Sequence, residues 1–260
     1  MASIVHLDQT TSTMDEARKL SATQAYGAVM AESQTAGRGR IPGRSWDTRP
    51  GQALLATIWF PRTALQNPAT PRIMAGDDTT AQPEPPVSLM AGLAVAKACL
   101  FWASSSDRLF RNGLSVKWPN DVLCGSNKLA GILCEATSST IMAGIGINCS
   151  QPSFTGTYRT GPTSILMETG QTPDRHLLLT LILDELWTLI AGRTGWREEL
   201  DHLLAWKGKT VDFRSGLAEG HPIRGVLAGI ADDGAIILDI KGSRQWFHSG
   251  ELSPVIDEYR

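Results

Sequence analysis

The chain has 260 residues, of which 42% are hydrophobic, and its formal net charge is −2. This length suits one large domain, or one domain with a small module, and the apolar content suffices for a hydrophobic core. The slightly acidic balance excludes a surface that binds polyanions in general, so any basic segment is a local feature.

Cysteine usage and apolar runs indicate a cytoplasmic protein without a membrane span. None of the four cysteines forms a Cys-x-x-Cys pair, which favours reduced thiols. The longest apolar run, residues 87–102, is too short and too interrupted to cross a bilayer and predicts a buried helix. Residues 1–9 lack a basic start followed by an apolar stretch, so no secretory signal is expected.

The first half of the chain is predicted to alternate short strands with two helices. One helix begins at Ser12 or Thr13, where a hydroxyl can cap it, and runs to about Leu20. The buried helix begins at Val87. Strands are predicted at 28–32, 54–60, 115–118, 129–135 and 140–147. Residues 65–86 contain five prolines and are predicted to form a surface loop without chemistry of its own.

The second half is predicted to contain two helices and then a small antiparallel β module. Thr172-Pro173-Asp174 begins the first helix with a capping hydroxyl, a proline and an acid, and the helix ends near Gly192. The second covers about 196–206, and strands follow at 210–214, 223–230, 235–240 and 244–248. We therefore place the boundary near Lys207, giving domains 1–207 and 208–260.

A glycine–arginine loop from Gly37 to Arg44 is the first candidate site. Glycines let a backbone approach a ligand closely, and the guanidiniums of Arg38, Arg40 and Arg44 suit a carboxylate or phosphates. Trp46 lies close enough to stack on a base. The alternatives are a solvated turn and a nucleic-acid contact of the RG-rich kind, although low-complexity repeats are lacking.

Other polar groups follow the predicted strands or begin the first helix. The hydroxyls of Ser12 and Thr13, with Gln34, suit a small ligand that has both N–H and C=O edges, the alternative being a plain helix cap. The segment from Lys117 to Asp121 offers a cation, an amide and a carboxylate, so Asn120 and Asp121 are candidate Mg²⁺ ligands. Lys128 begins a strand and can reach an oxyanion.

The segment from Gly144 to Asn148 reads as a strand whose glycines let a ligand lie against it. It does not match the dinucleotide-binding fingerprint, because the third glycine and the following helix are missing.

Together these segments resemble the biotin protein ligases, in the family order and at roughly the family spacing. The matching pieces are Ser12-Thr13, Gln34 with Gly37 to Arg40, Gly43-Arg44 with Trp46, Lys117 to Asp121, Lys128 to Ile132, and Gly144 to Asn148. The resemblance covers about residues 10–150 and is looser after 208. It implies an α+β fold: a mixed β-sheet flanked by helices, of the class II synthetase-like, biotin–lipoate ligase type, followed by a small SH3-like barrel.

The resemblance also implies a two-step reaction. ATP and biotin give biotinyl-5′-AMP and pyrophosphate, and a lysine of a biotin carboxyl carrier protein then takes the biotinyl group. The implied biotin contacts are Ser12, Thr13, Met14, Gln34, Gly37, Arg38, Gly39, Arg40, Lys128 and Gly131. The implied nucleotide contacts are Arg44, Trp46, Lys117, Asn120, Asp121 and Asn148. Stabilisation of charge during catalysis is assigned to Arg40, Lys128 and Lys117.

Two departures from the family pattern concern the site. Met14 stands where the family often has Asn, and Ile41-Pro42-Gly43 makes the loop before Arg44 one residue longer. Because the motifs begin by residue 12, we expect a monofunctional ligase that does not bind DNA and that is a monomer or homodimer. Alternatives are a lipoate or octanoate ligase of the same fold, a nucleic-acid-binding module that uses the RG loop, and an inactive scaffold.

Overall fold

The structure, a computed structural model, describes residues 3–41, 43, 46, 48–65, 86–192, 195–215 and 222–255. Seven strands form the larger sheet: β1 (Ser3–Thr10), β2 (Gly27–Gln34), β3 (Ala53–Pro61), β4 (Leu114–Lys117), β5 (Asp121–Cys124), β6 (Asn127–Ala136) and β7 (Thr140–Asn148). Their order is β1-β2-β3-β7-β6-β5-β4, and only β1 and β2 are parallel. The predicted mixed sheet is confirmed.

Helices cover both faces of this sheet. They are α1 (Thr13–Leu20), α2 (Val87–Ser105), α3 (Ile165–Thr169), α4 (Arg175–Gly192) and α5 (Trp196–Leu203). One face of β7 contributes Ile141, Ala143, Ile145 and Ile147 to the core that α2 and α4 cover. The opposite face packs Met142 with Met14 and Ala17 of α1. Since side chains alternate along a strand, Gly144 and Gly146 fall on the α1 face and leave space there.

The helix α2 is long and apolar enough to cross a membrane by length and composition alone, and 67% of its apolar window is buried inside the protein. Such burial is typical of a core helix, as the sequence predicted. The loop predicted at 65–86 lies outside the described residues apart from Leu65, which ends a 3₁₀ turn, and Pro86, which precedes α2.

The smaller sheet is antiparallel and has five strands: β8 (Thr210–Arg214), β9 (Ile223–Ile230), β10 (Ile236–Ile240), β11 (Ser243–Phe247) and β12 (Glu251–Pro254). The order is β11-β10-β9-β8-β12, with β11 and β12 as the two edges. The expected SH3-like barrel is therefore corrected to an open sheet. Phe213 and Leu252 share one core with the larger sheet, and the Trp118 indole Nε1 donates to the Gly234 carbonyl at 3.0 Å.

Candidate functional site

A cleft on the α1 face has a floor of glycines. Gly131 of β6 pairs with Gly146 of β7, and Gly144 pairs with Thr57 of β3. The missing side chains leave an open cleft above this floor.

The cleft brings together eleven of the predicted site residues. They are Ser12, Thr13, Met14, Gln34, Arg38, Gly39, Arg40, Trp46, Asn120, Lys128 and Gly131. The sequence analysis did not identify four further lining residues as part of the site: Leu55, Ala56, Thr57 and Leu133.

The inner end of the cleft is a neutral hydrogen-bonded network around Gln34. The Gln34 Oε1 accepts from the backbone N–H of Thr13 at 2.7 Å and from its hydroxyl at 3.1 Å. The Thr57 hydroxyl donates to Thr13 Oγ1 at 2.9 Å. Ser12 caps α1 through its own hydroxyl, which accepts from the Met14 N–H. These contacts fix the orientation of three polar side chains before any ligand arrives.

The indole of Trp46 lies directly on the glycine floor. A Cβ on Gly146 would stand 2.6 Å from Trp46 Cε2, and one on Gly131 would stand 3.0 Å from Cζ3. The backbone N–H of Trp46 donates to the Gly37 carbonyl at 3.1 Å. Within the described part of the chain, the buried indole Nε1 has no hydrogen-bond partner. Trp46 thus occupies the space above the glycines, and the hydrogen bond to Gly37 holds the Trp46 backbone in place.

Arg38 is already paired with protein carboxylates. Its guanidinium donates to both Asp15 oxygens, at 2.8 and 3.0 Å, and lies 3.9 Å from Glu135. Arg18 contacts the same two carboxylates. The hydrogen bond from Arg38 lowers the pKa of Asp15, and that carboxylate raises the pKa of Arg38. This network lies at the mouth of the cleft.

Arg40 reaches from the cleft to the smaller sheet. One of its nitrogens is 3.3 Å from the Gly250 carbonyl and 3.3 Å from Glu251 Oε1. Arg159 contacts the other oxygen of Glu251. The smaller sheet therefore holds one of the three predicted catalytic cations. Arg44, the arginine assigned to the nucleotide, lies outside the described residues.

Asp121 links the other two predicted cations. Lys128 Nζ is 2.6 Å from Asp121 Oδ1, and Lys117 Nζ is 3.6 Å from Oδ2. Burial lowers the pKa of Lys117, which also lies over the Trp206 ring at 5.8 Å. Lys128 lies 5.5 Å from the Trp46 ring centroid. Lys117 borders a second groove next to Arg159 and Glu251 rather than the glycine-floored cleft.

The residues predicted to hold Mg²⁺ have other partners. The Asn120 amide donates to the Ile132 carbonyl at 2.8 Å, and both Asp121 oxygens face lysine ammonium groups. Among the described residues, no cluster of three or more His, Cys, Asp or Glu suits a metal ion. This donor set gives a metal one carboxylate, already neutralised, so it does not form a metal site of its own.

Asn148 is turned away from the cleft. Its amide nitrogen donates to the Thr163 carbonyl at 3.0 Å, and its Oδ1 accepts from Gln151 at 3.1 Å. The side chain is buried and does not line the cleft. Gln151 also donates to Thr48, two residues after Trp46, at 3.2 Å. In this arrangement Asn148 supports the segment that carries Trp46.

Comparison with known proteins assigns the class. The sequence profile of the "Biotin/lipoate A/B protein ligase family" matches residues 4–151, which is more than half of the chain. The profile "Biotin protein ligase C terminal domain" matches residues 208–253. The chain therefore belongs to the biotin/lipoate A/B protein ligase family.

Particular relatives narrow this class. A biotin--[acetyl-CoA-carboxylase] ligase of Paracoccus denitrificans is 31% identical over 267 residues, covering 95% of this chain and 98% of the relative. A ligase of the same description from Mycobacterium tuberculosis is 30% identical, covering 91% and 82%. The solved biotin protein ligase of Aquifex aeolicus in complex with biotin and ATP shares the fold at 23% identity, with a TM-score of 0.76 and coverage of 97% and 98%.

Proposed function

We propose that this chain is an ATP-dependent biotin protein ligase. It joins biotin to ATP as biotinyl-5′-AMP, releasing pyrophosphate, and then transfers the biotinyl group to a lysine of a carboxyl carrier protein. The observation that carries the proposal is the convergence of Gln34, Arg40 and Lys128, from three separate segments, on one glycine-floored cleft. The relatives named above support biotin as the acid and a carboxylase as the acceptor.

The inner end of the cleft suits the ureido ring of biotin. That ring presents two N–H donors and one carbonyl acceptor, and Ser12, Thr13 and Gln34 offer hydroxyl and amide groups that complement them. A site built from buried hydrogen-bonding groups rejects analogues that lack their partners by about 10⁴-fold, because the site's own groups then stay unpaired. This end therefore accounts for recognition of the acid.

The cations stabilise negative charge during adenylation. When the biotin carboxylate attacks the α-phosphate, an O–P bond forms and the bond to pyrophosphate breaks. In this proposal Lys128 and Arg40 offset the charge on the reacting oxygens. Both are held by protein carboxylates, Asp121 and Glu251, so the substrate anions exchange with these partners.

Transfer needs no covalent intermediate with this chain. The neutral amine of the acceptor lysine attacks the acyl carbon of the mixed anhydride, so a C–N bond forms and the C–O bond to AMP breaks. The amine proton leaves to solvent, and AMP departs as the leaving group. The ligase contributes by holding the adenylate and by excluding the water that would hydrolyse it.

We further propose that Mg²⁺ enters as a complex with ATP, because that ion is usually bound by substrate phosphates together with one or two carboxylates. The four cysteines are free thiols, which supports a reducing, cytoplasmic location. The expected monomer or homodimer, and the expected absence of DNA binding, stay predictions. An electrophoretic shift assay with a biotin-operon promoter at physiological salt checks the latter.

Pyrophosphate release tests the proposed function directly. The purified chain is incubated with Mg²⁺, ATP and either biotin or lipoate, and release is expected with biotin. A biotin carboxyl carrier domain is then added, and mass spectrometry should find one biotinyl group on one lysine. Turnover with lipoate alone would instead assign the chain to the lipoate branch of its family, and turnover with neither acid would refute the proposal.

A further inference from the structure

We infer that Met14 sets the size of the fused ring system of the acid that the cleft accepts. The inference rests on the proposed function and adds a specificity-determining residue to it. Met14 stands immediately after Thr13 in the first turn of α1, so it belongs to the same inner end of the cleft. Thr13 contributes a hydrogen-bonding group there, whereas Met14 contributes only an apolar wall.

Met14 and Gly144 together define that wall. The Met14 side chain is 3% exposed and lines the cleft. A Cβ built on Gly144 would lie 2.9 Å from Met14 Cε and 3.3 Å from the Leu133 carbonyl. The Met14 methyl group therefore packs directly against the strand, with no room for a further atom between them. An atom added on either side takes space from the other, or from the ligand.

The chemistry of methionine makes this a filter for size. Its thioether is at most a weak acceptor, so this wall does not change the affinity for a ring substituent through a strong hydrogen bond. Its side chain adapts by rotation, but burial limits that adaptation. One methylene more or less in such an apolar pocket typically changes specificity by about 10–200-fold.

A graded series of acids tests the inference in the full chain. Desthiobiotin lacks the ring sulfur, and biotin sulfone carries two further oxygens on it, so they bracket biotin in size. The readout is kcat/KM for pyrophosphate release with each acid, expressed relative to biotin. Such a ratio does not depend on the fraction of active protein, which matters because Met14 also packs in the α1 core.

Met14→Ala is expected to raise the relative kcat/KM for biotin sulfone at least about tenfold, since it removes three heavy atoms from the wall. The matched control is Met142→Ala. Met142 belongs to the same core cluster but does not line the cleft, so its loss should cost stability and leave the ratio within about twofold.

Gly144→Ala provides a second, opposite test that does not require the methionine variant to fold. It narrows the same space, so preference should shift towards desthiobiotin by at least about threefold. If Met14→Ala folds, the loss in kcat/KM for biotin caused by Gly144→Ala should be smaller in that background.

The inference would be overturned if the parent turns over biotin but folded Met14→Ala shows the parent's relative kcat/KM for each acid. If only Gly144→Ala folds, unchanged relative kcat/KM values in that variant would overturn it. Failure of the parent with biotin would instead remove the proposed function.

Discussion

The two ends of the cleft are organised on different principles. The inner end is neutral and buried, and Thr13, Gln34 and Thr57 bind one another through hydrogen bonds of 2.7–3.1 Å. The outer end is charged, and each of its described arginines and lysines is paired with a carboxylate of the protein. The inner end is thus set before binding, whereas the outer end must exchange partners. Recognition of the acid and stabilisation of the reacting charge are therefore separable by mutation.

Removing Lys128 should give the largest effect, because it tests the charged end directly. Lys128→Gln is expected to lower kcat/KM for pyrophosphate release by about 100-fold or more, the usual cost of losing one preorganised charge donor. The measurement is steady-state release with biotin and Mg·ATP.

The matched control is Lys97→Gln, because the Lys97 amine pairs with Glu185 and Glu199 and does not line the cleft. That variant should retain nearly full activity. Equal losses in the two variants would show that the Lys128 effect is structural.

Arg40→Gly tests whether the outer end retains the adenylate. A hydrogen bond to a charged group contributes about 1.5–3 kcal/mol, so release of biotinyl-5′-AMP should accelerate by about 10–100-fold. Biotin binding should be only partly weakened, because the inner end is untouched.

Adenylate release is followed by rapid filtration of the preformed complex. Arg159→Gln is the matched control, since Arg159 also contacts Glu251 but does not line the cleft. If Arg40→Gly holds its adenylate as tightly as the parent, the role given to this arginine is wrong.

Thr57→Val addresses the neutral end and should give a smaller effect. Valine keeps the shape of the side chain but removes the donor to Thr13 Oγ1, which leaves a buried hydroxyl with one partner fewer. A loss of about 1–2 kcal/mol in biotin affinity is expected, or roughly 5–30-fold. Titration calorimetry with biotin alone measures it.

Thr180→Val provides the comparison for Thr57→Val, because the exposed Thr180 hydroxyl donates to the His176 carbonyl within α4 and does not line the cleft. The biotin affinity of Thr180→Val should match that of the parent. An unchanged affinity in Thr57→Val would mean that the neutral end is not the site of ring recognition.

The sequence predicted the elements that carry a clear apolar pattern. The helix predicted from Ser12 or Thr13 to about Leu20 lies at Thr13–Leu20, and the strands at Thr210–Arg214 and Ile223–Ile230 have the predicted bounds. It did not reveal β1, β5, β12 or α3. The edge strand β1 mixes exposed polar residues such as His6 and Asp8 with partly buried ones, so alternation is weak.

Other features depend on contacts that no local pattern contains. Closure of the smaller sheet into a barrel requires its two edge strands to pair, and nothing within those strands specifies that pairing.

The side-chain contacts of single residues were also not predictable. Asp174, not the predicted Thr172, caps α4, with Oδ1 accepting from two backbone N–H groups. The resemblance implied that Asn148 contacts the nucleotide, yet which way an amide faces is decided by its neighbours. Thr57 was hidden inside an apolar strand, and a lone hydroxyl there was its only signal.

The smallest expected effect concerns the ion pairs at the mouth of the cleft. Arg38 holds the pKa of Asp15 below its ordinary value of 3.8. The stabilisation from this pair is therefore complete above about pH 4 and is lost as the pH falls through the lowered pKa. Because the side chains are partly exposed, the pair contributes only about 0.2–1 kcal/mol.

Urea unfolding of the parent and of Asp15→Asn between pH 3 and pH 7 measures this contribution. The parent should be more stable by up to about 1 kcal/mol near pH 6, and the two curves should converge towards pH 3. A gap that widened on acidification would contradict the assigned sign. Because the neutral inner network contains no titrating group, Thr57→Val should change stability by the same amount at every pH in this range, which separates the two ends of the cleft by a second criterion.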